Sequence, residues 1–512
     1  VWKKQQRRAG LLACFAAWAA LAQALLLDLP AGIARAHAAL PHTDPIKRHL
    51  WSDRNAMSLD YLGNPLDTDD QDARQGLNDF VSGFIGYHPR AEAILGCADR
   101  HPQSALSNAL AGVLLMFSES PQGPGLAEKY RRRAAAVAPA HPRAALYLDL
   151  LQAWIADDLD RVLALSERLL ADFPRDLFAA KLNQYVEFNR GNWPALLRTA
   201  LKAVQAAPDI AQSHGMLAFA YEQCHLLDDA EASARQALAI QADEPWAQHA
   251  LAHVMLTEGR IEEGIAFLES VSKHWDGLNS FMYTHNWWHL ALFYLARGEQ
   301  ARVLAIYDQH VWGILPEYSQ DQIGAVSLLA RLELAGIDVG QRWQALAPYL
   351  QKRHGDTVQP FLSLQYLYGL ARAEQPQAQQ LFEALHQRSR EAPAFSRAVW
   401  AEVTLPVAEA LLSHARGDYA RSARLLASSL PRLNEIGGSH AQRDLFAQIE
   451  LDARLRAGDW EVAQQTLELR RRYDNLDVPT NRSLERVYHA LHLPGLAAQA
   501  RQRVEQGLAR VR

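Results

Sequence analysis

From about residue 75 onward, apolar side chains recur at i, i+3, i+4 and i+7, which is the period of an amphipathic helix. The Val/Ile/Thr alternation that strands need is nearly absent. Prolines punctuate the pattern at Pro142, Pro174, Pro208 and Pro245, with spacings of 32, 34 and 37 residues. Proline is tolerated in the first turn of a helix and breaks its interior, so these positions mark helix boundaries. A spacing near 34 is that of the tetratricopeptide helix-turn-helix unit. The pattern predicts helix pairs over 213–224 and 229–241, 245–257 and 261–272, and 282–296 and 300–311. Ala218, Ala252 and Ala291 let paired helices approach, and Gly259 and Gly298 end first helices where a positive φ is wanted. Beyond residue 350 the period is less regular, with helices predicted over 362–373, 377–389, 398–416, 439–457 and 461–472. The expected fold is all-α: one right-handed α-solenoid of tetratricopeptide-like helix pairs, each covering its neighbour's apolar face. Its C-terminal end is free to close back on the rest.

The chain divides into 1–38, a signal peptide or N-terminal extension, 58–350, the repeats, and 351–512, further helical repeats continuing the solenoid. Residues 2–8 are basic, 9–27 almost purely apolar, and Ala36-His37-Ala38 resembles a cleavage site. These are the three parts of a secretory signal, and Arg7-Arg8 suggests twin-arginine export. The apolar run is longer than usual and could also anchor in a bilayer. A start site upstream of the true one is the third reading. A working leader implies a periplasmic or exported protein, its absence a cytoplasmic one. No other membrane contact is expected.

Composition narrows the chemistry. The net charge of −5 argues against a general nucleic-acid binder, which needs a basic surface. Three cysteines exclude a disulfide scaffold and a multi-cysteine zinc fold. Against them stand 20 histidines and 13 tryptophans. His249 and His253 are one turn apart on a predicted first helix, as are His285 and His289 on the next, and both pairs are offset by 36 residues. His214 lies 35 residues before His249 on the preceding first helix. Near-repeat spacing places these five imidazoles on one wall facing the groove, with Glu222, Asn286, Trp246, Trp287 and Trp288 nearby. His249, His253 and His289 are candidate ligands of a divalent metal such as zinc. Glu222 and His285 are candidate acid/base groups. Asn286, Trp288 and His214 are candidate ligand contacts. Without a metal, clustered imidazoles shuttle protons or bind anions.

No His-Glu-x-x-His, Gly-x-Ser-x-Gly, P-loop or dinucleotide fingerprint is present. Gly437-Gly438-Ser439-His440 leads into a helix with Ser439 as expected N-cap, and such a helix start is an anion site. Arg443 is a candidate clamp for a carboxylate or phosphate, with Asp444 beside it as a further ligand contact.

His249-Ala-Leu-Ala-His253, Thr284-His285-Asn286-Trp287-Trp288-His289 and Tyr307-Asp308-Gln309-His310 together are similar to the tetratricopeptide repeat protein 38 family. Val339-Gly340-Gln341-Arg342-Trp343 and Gly438-Ser439-His440-Ala441-Gln442-Arg443-Asp444 resemble two further family motifs in the same order, and His214-Gly215 and Glu222 also match. His440 stands where related sequences often carry Asn. The resemblance spans about residues 58 to 490 and implies an α-solenoid. It implies no particular reaction.

Two functions are therefore expected. One is a small polar ligand or metal ion bound in a His/Trp-lined concave pocket, with metal-assisted hydrolysis as a compatible reaction. The other is a non-enzymatic scaffold for a peptide or partner protein in the groove.

Overall fold

The computed structural model describes residues 58–510. The leader expected over 1–38 lies outside the described residues. The described chain is all-α, a helical solenoid, and its one strand-like contact is an isolated bridge between Leu59 and Pro65. None of its helices is long and apolar enough to cross a membrane.

Local chemistry sets the helix ends. The helix Pro245–Thr257 starts with proline in its first turn, where no amide donor is needed, and Glu244 caps it by accepting from the Ala247 amide at 2.5 Å. Ser280–Ala296 is capped by Asn279, which accepts from the Met282 amide. Gly259 and Gly298 take the expected positive φ at the ends of first helices. The helix predicted over 300–311 begins at Gln300 and widens into a π turn at Tyr307–Val311. The stretch 398–416 behaves likewise, with Ala394–Val399, a π turn at Trp400–Thr404, then Leu405–Ala415. Pro406 has no amide to give that turn, and widening the helix accommodates the loss.

First and second helices differ in burial. Leu159–Asp172, a second helix, buries only Val162, Ser166 and Leu169. Pro360–Arg372 buries every position from Phe361 to Leu370, as a helix covered on all sides does. The inner helices are covered because the solenoid turns back on itself. Two large cores, one spanning 62–216 and the other 252–449, are followed by a small one over 451–500. Later helices touch earlier ones across the centre. Arg388 pairs with Asp157 at 2.7 Å, and His440 Nε2 lies 3.1 Å from the Gln223 carbonyl. Gly191, at φ +67°, packs so closely on the Asn434 carbonyl that a Cβ would overlap it. The concave face is thereby roofed by C-terminal helices.

Candidate functional site

The two His-x-x-x-His pairs converge. His253 Nε2 and His285 Nε2 lie 3.0 and 3.1 Å from His249 Nε2. One nitrogen from each of His249, His253, His285 and His289 falls within 4.8 Å of all the others. Adjacent helices achieve this because each pair puts both rings on one face, one turn apart. Both ring nitrogens of His289, Nδ1 of His249 and both side-chain atoms of Asn286 are buried without a hydrogen-bond partner. Burial, reinforced by neighbouring imidazoles, holds His249 and His289 well below the usual histidine range and pulls His285 down to about 3. These three rings are neutral at physiological pH and present lone pairs.

A second layer orients them. The Glu222 carboxylate approaches His253 Nδ1 at 3.3 Å and accepts from the Gln223 side-chain amide. Burial pushes Glu222 upward, but His253 and His440 beside it leave its pKa below the ordinary value. Trp288 stacks flat on His285, with ring centres 5.3 Å apart. Arg331 lies over the other partner of that stack, 5.3 Å from the Trp288 ring, and donates to Ser327 and to the Ala441 and Gln442 carbonyls. Among the other described tryptophans, Trp154, Trp275, Trp343 and Trp400 are core residues.

Beside the cluster is a cavity of about 950 Å³. His249 and His285 line it, whereas His253, His289 and Glu222 stand behind them. Its wall continues through Trp246, which stacks between His249 (4.4 Å) and Tyr87 (5.1 Å). Lys181 projects against the same rings, 4.1 Å from Trp246 and 4.6 Å from Tyr87. Burial pulls the Lys181 amine down to about 7, opposed by Glu244, and burial raises Glu244 to about 7. Further along, Glu119 accepts from Tyr185 (2.9 Å), Gln359 (3.2 Å), Ser319 (3.1 Å) and Gln320 (2.5 Å).

Several expected residues are placed elsewhere. Four imidazoles cluster, not five. His214 is captured by the Pro208 carbonyl at 2.9 Å, and Phe219 of its helix packs against His249 and His253 instead. Arg443 does not line the cavity. It donates to the Gly438 carbonyl and lies 4.9 Å over Trp193, and burial draws it down to about 10. Asp444 pairs with Arg470 through two bonds of 2.8 and 2.9 Å, which hold it low against the upward push of burial. Ser439 is the N-cap, but it forms a reciprocal capping box with Gln442. Two of the amides expected to receive an anion are thereby engaged. Asn286 and Trp288 are buried beside the imidazoles and do not line the main cavity.

Sequence reasoning missed Lys181, Glu244 and Glu119. Lys181 carries a signal: it stands alone among the buried positions Leu177–Gln184 of its helix. Glu119 carries none, because its partners come from 66 to 240 residues away.

No family model matches the chain. Among solved structures, the human IFIT1 dimer with m7Gppp-AAAA is 12% identical, over 87% of this chain and 96% of that one, at a TM-score of 0.38. The structure of Naa15/Naa10 bound to HypK-THB is 13% identical, over 83% and 68%, at a TM-score of 0.23.

Proposed function

We propose that this protein binds a divalent transition metal on His249, His253, His285 and His289 and a small polar-headed ligand in the adjoining cavity. One observation carries the reading: four buried imidazoles converge while His289 keeps both nitrogens without a partner. A buried polar atom left unpaired costs about 1–3 kcal/mol, so such a group is maintained for a partner from outside. Tetrahedral zinc at its usual bond length would hold nitrogens about 3.3 Å apart, close to the 3.0 and 3.1 Å spacings here. An all-imidazole set favours zinc, copper or nickel over magnesium or calcium. Glu222 against His253 Nδ1 is the carboxylate that commonly orients a metal-binding histidine. With three of the four imidazoles as ligands, a metal there would keep an open position and could supply the oxygen polarisation that metal-assisted hydrolysis needs to a ligand entering past His249 and His285. Glu222 lies behind the ligands and would act through His253 rather than on substrate.

The scaffold alternative needs a long open groove, and C-terminal helices cover that face. Nucleic acid is not the expected ligand, because among the described residues the cavity has no row of free cations to meet a phosphate backbone.

Elemental analysis of untagged protein purified without chelators tests the proposal. One metal ion per chain is expected, and a folded His253→Ala/His289→Ala double variant should contain none. A folded wild type without stoichiometric metal, and with no metal uptake by calorimetry, would overturn it.

A further inference from the structure

The charges around the cavity are unevenly committed. Arg353 pairs with Asp356 at 3.1 Å and Lys352 with Glu317 at 2.9 Å. The four donors around Glu119 fill its two oxygens. Lys181 is different. It lines the cavity, and its ammonium has ring faces beside it but no hydrogen-bond or ion-pair partner among the described residues. Glu244 is near enough to be felt, yet one of its oxygens is used in capping Pro245–Thr257 and the other is buried without a partner. Gly215 makes room for that carboxylate, since a Cβ there would sit 2.7 Å from Glu244 Oε2.

The surface of the remaining wall is mainly apolar, with the rings of Phe84, Phe117, Phe281, Tyr318 and Phe361 set among paired polar groups. A cavity with one uncommitted cation among the described residues, set at an aromatic end, and its other lysine and arginine paired off fits one kind of molecule. Its apolar body is desolvated along the wall, and its charged head makes an ion-paired hydrogen bond with the ammonium, which neutral molecules cannot.

We infer that the cavity takes amphiphilic monoanions, with a carboxylate or similar oxyanion seated on Lys181 beside Trp246 and His249 and an apolar body along the aromatic wall. This rests on the cavity being a ligand site, as proposed above, but not on the metal. One ammonium matches one negative charge, so a dianionic phosphate head is the poorer fit. Lys181 is then a specificity-determining residue, and Trp246 ties its position to that of His249 through the ring stack.

The test uses the full chain stripped of metal and a matched pair of fluorescent probes, anilinonaphthalene sulfonate and its uncharged counterpart N-phenyl-1-naphthylamine. Wild type is expected to bind the sulfonate at least about tenfold more tightly, the scale of one charge-assisted bond. Lys181→Met should abolish that preference while leaving the neutral probe within about twofold, and Lys181→Arg should retain it. Decanoate should displace the sulfonate better than decanol or decyl phosphate. Equal binding of the two probes by wild type, an unchanged preference in folded Lys181→Met, or no binding of either probe would overturn the inference. If Lys181→Met does not fold, the competition series on wild type decides, with equal displacement by decanoate and decanol counting against. The metal reading and this one can fail separately, because no metal is present in the titration.

Discussion

Two buried polar centres border the same cavity, and they are completed to different degrees. Glu119 is surrounded by four neutral donors from three distant parts of the chain. The imidazole cluster is left with unpaired nitrogens on His289 and His249 and an unpaired Asn286. A fully satisfied buried network rigidifies and specifies a fold. A cluster in deficit lowers stability by itself, a cost that the proposed metal would relieve. The first centre ties the closing solenoid together, and the second is what the closure encloses.

The largest effect expected from breaking this contrast is on metal-linked stability. At metal concentrations about a thousandfold above Kd, wild type should gain about 4 kcal/mol against urea. His289→Leu should lose that gain, and as metal-free protein it should be more stable than wild type by about 1 kcal/mol, since an unsatisfied buried group is removed. A less stable metal-free variant would mean that His289 already has what it needs.

Glu119→Ala should be the reverse case, costing about 3–4 kcal/mol with or without metal, because four donors lose their acceptor. Urea unfolding would show this, and a loss below about 1 kcal/mol would remove Glu119 from the closure.

Asp321 gives a pH-dependent version of the same comparison. It accepts from Ser280 (2.5 Å), the Leu315 amide (2.9 Å) and Thr284 (3.4 Å), which fastens the start of the helix carrying His285 and His289. Burial raises its pKa from 3.8 to about 7 despite these bonds. Since the folded value lies above the unfolded one, its contribution is fully present below pH 4 and is lost as pH rises towards 7. Asp321→Asn should remove an effect of order 4 kcal/mol over that window. Matching stability–pH curves for variant and wild type would contradict it.

The smallest change expected is His440→Asn. His440 meets the Gln223 carbonyl at the closure, and burial pulls its imidazole down to about 4. Asparagine keeps a donor there, so the loss should stay under about 1 kcal/mol by thermal unfolding.

Much of this was legible from residue order, because the information is local. Pro245–Thr257 was predicted to the residue, since Pro at its start and Gly beyond its end act within a few positions. The pairing of His249 with His253 and of His285 with His289 follows from helical pitch alone. Other expectations failed where a nearby group competed for the side chain. His214 had the right spacing, but the Pro208 carbonyl took its ring. Arg443 had the right neighbourhood, but Gly438 and Trp193 hold it away from the cavity.

The all-helical class, most helix ends to within about two residues and the histidines that share a face follow from residue order, because each depends on contacts within one or two turns. That the solenoid folds back on itself, that Glu119 joins three distant stretches of it, and that Lys181 meets Trp246 in a cavity bounded by His249 all belong to the assembled fold. Those relations depend on how small rotations between successive helices accumulate, and no residue encodes that sum locally.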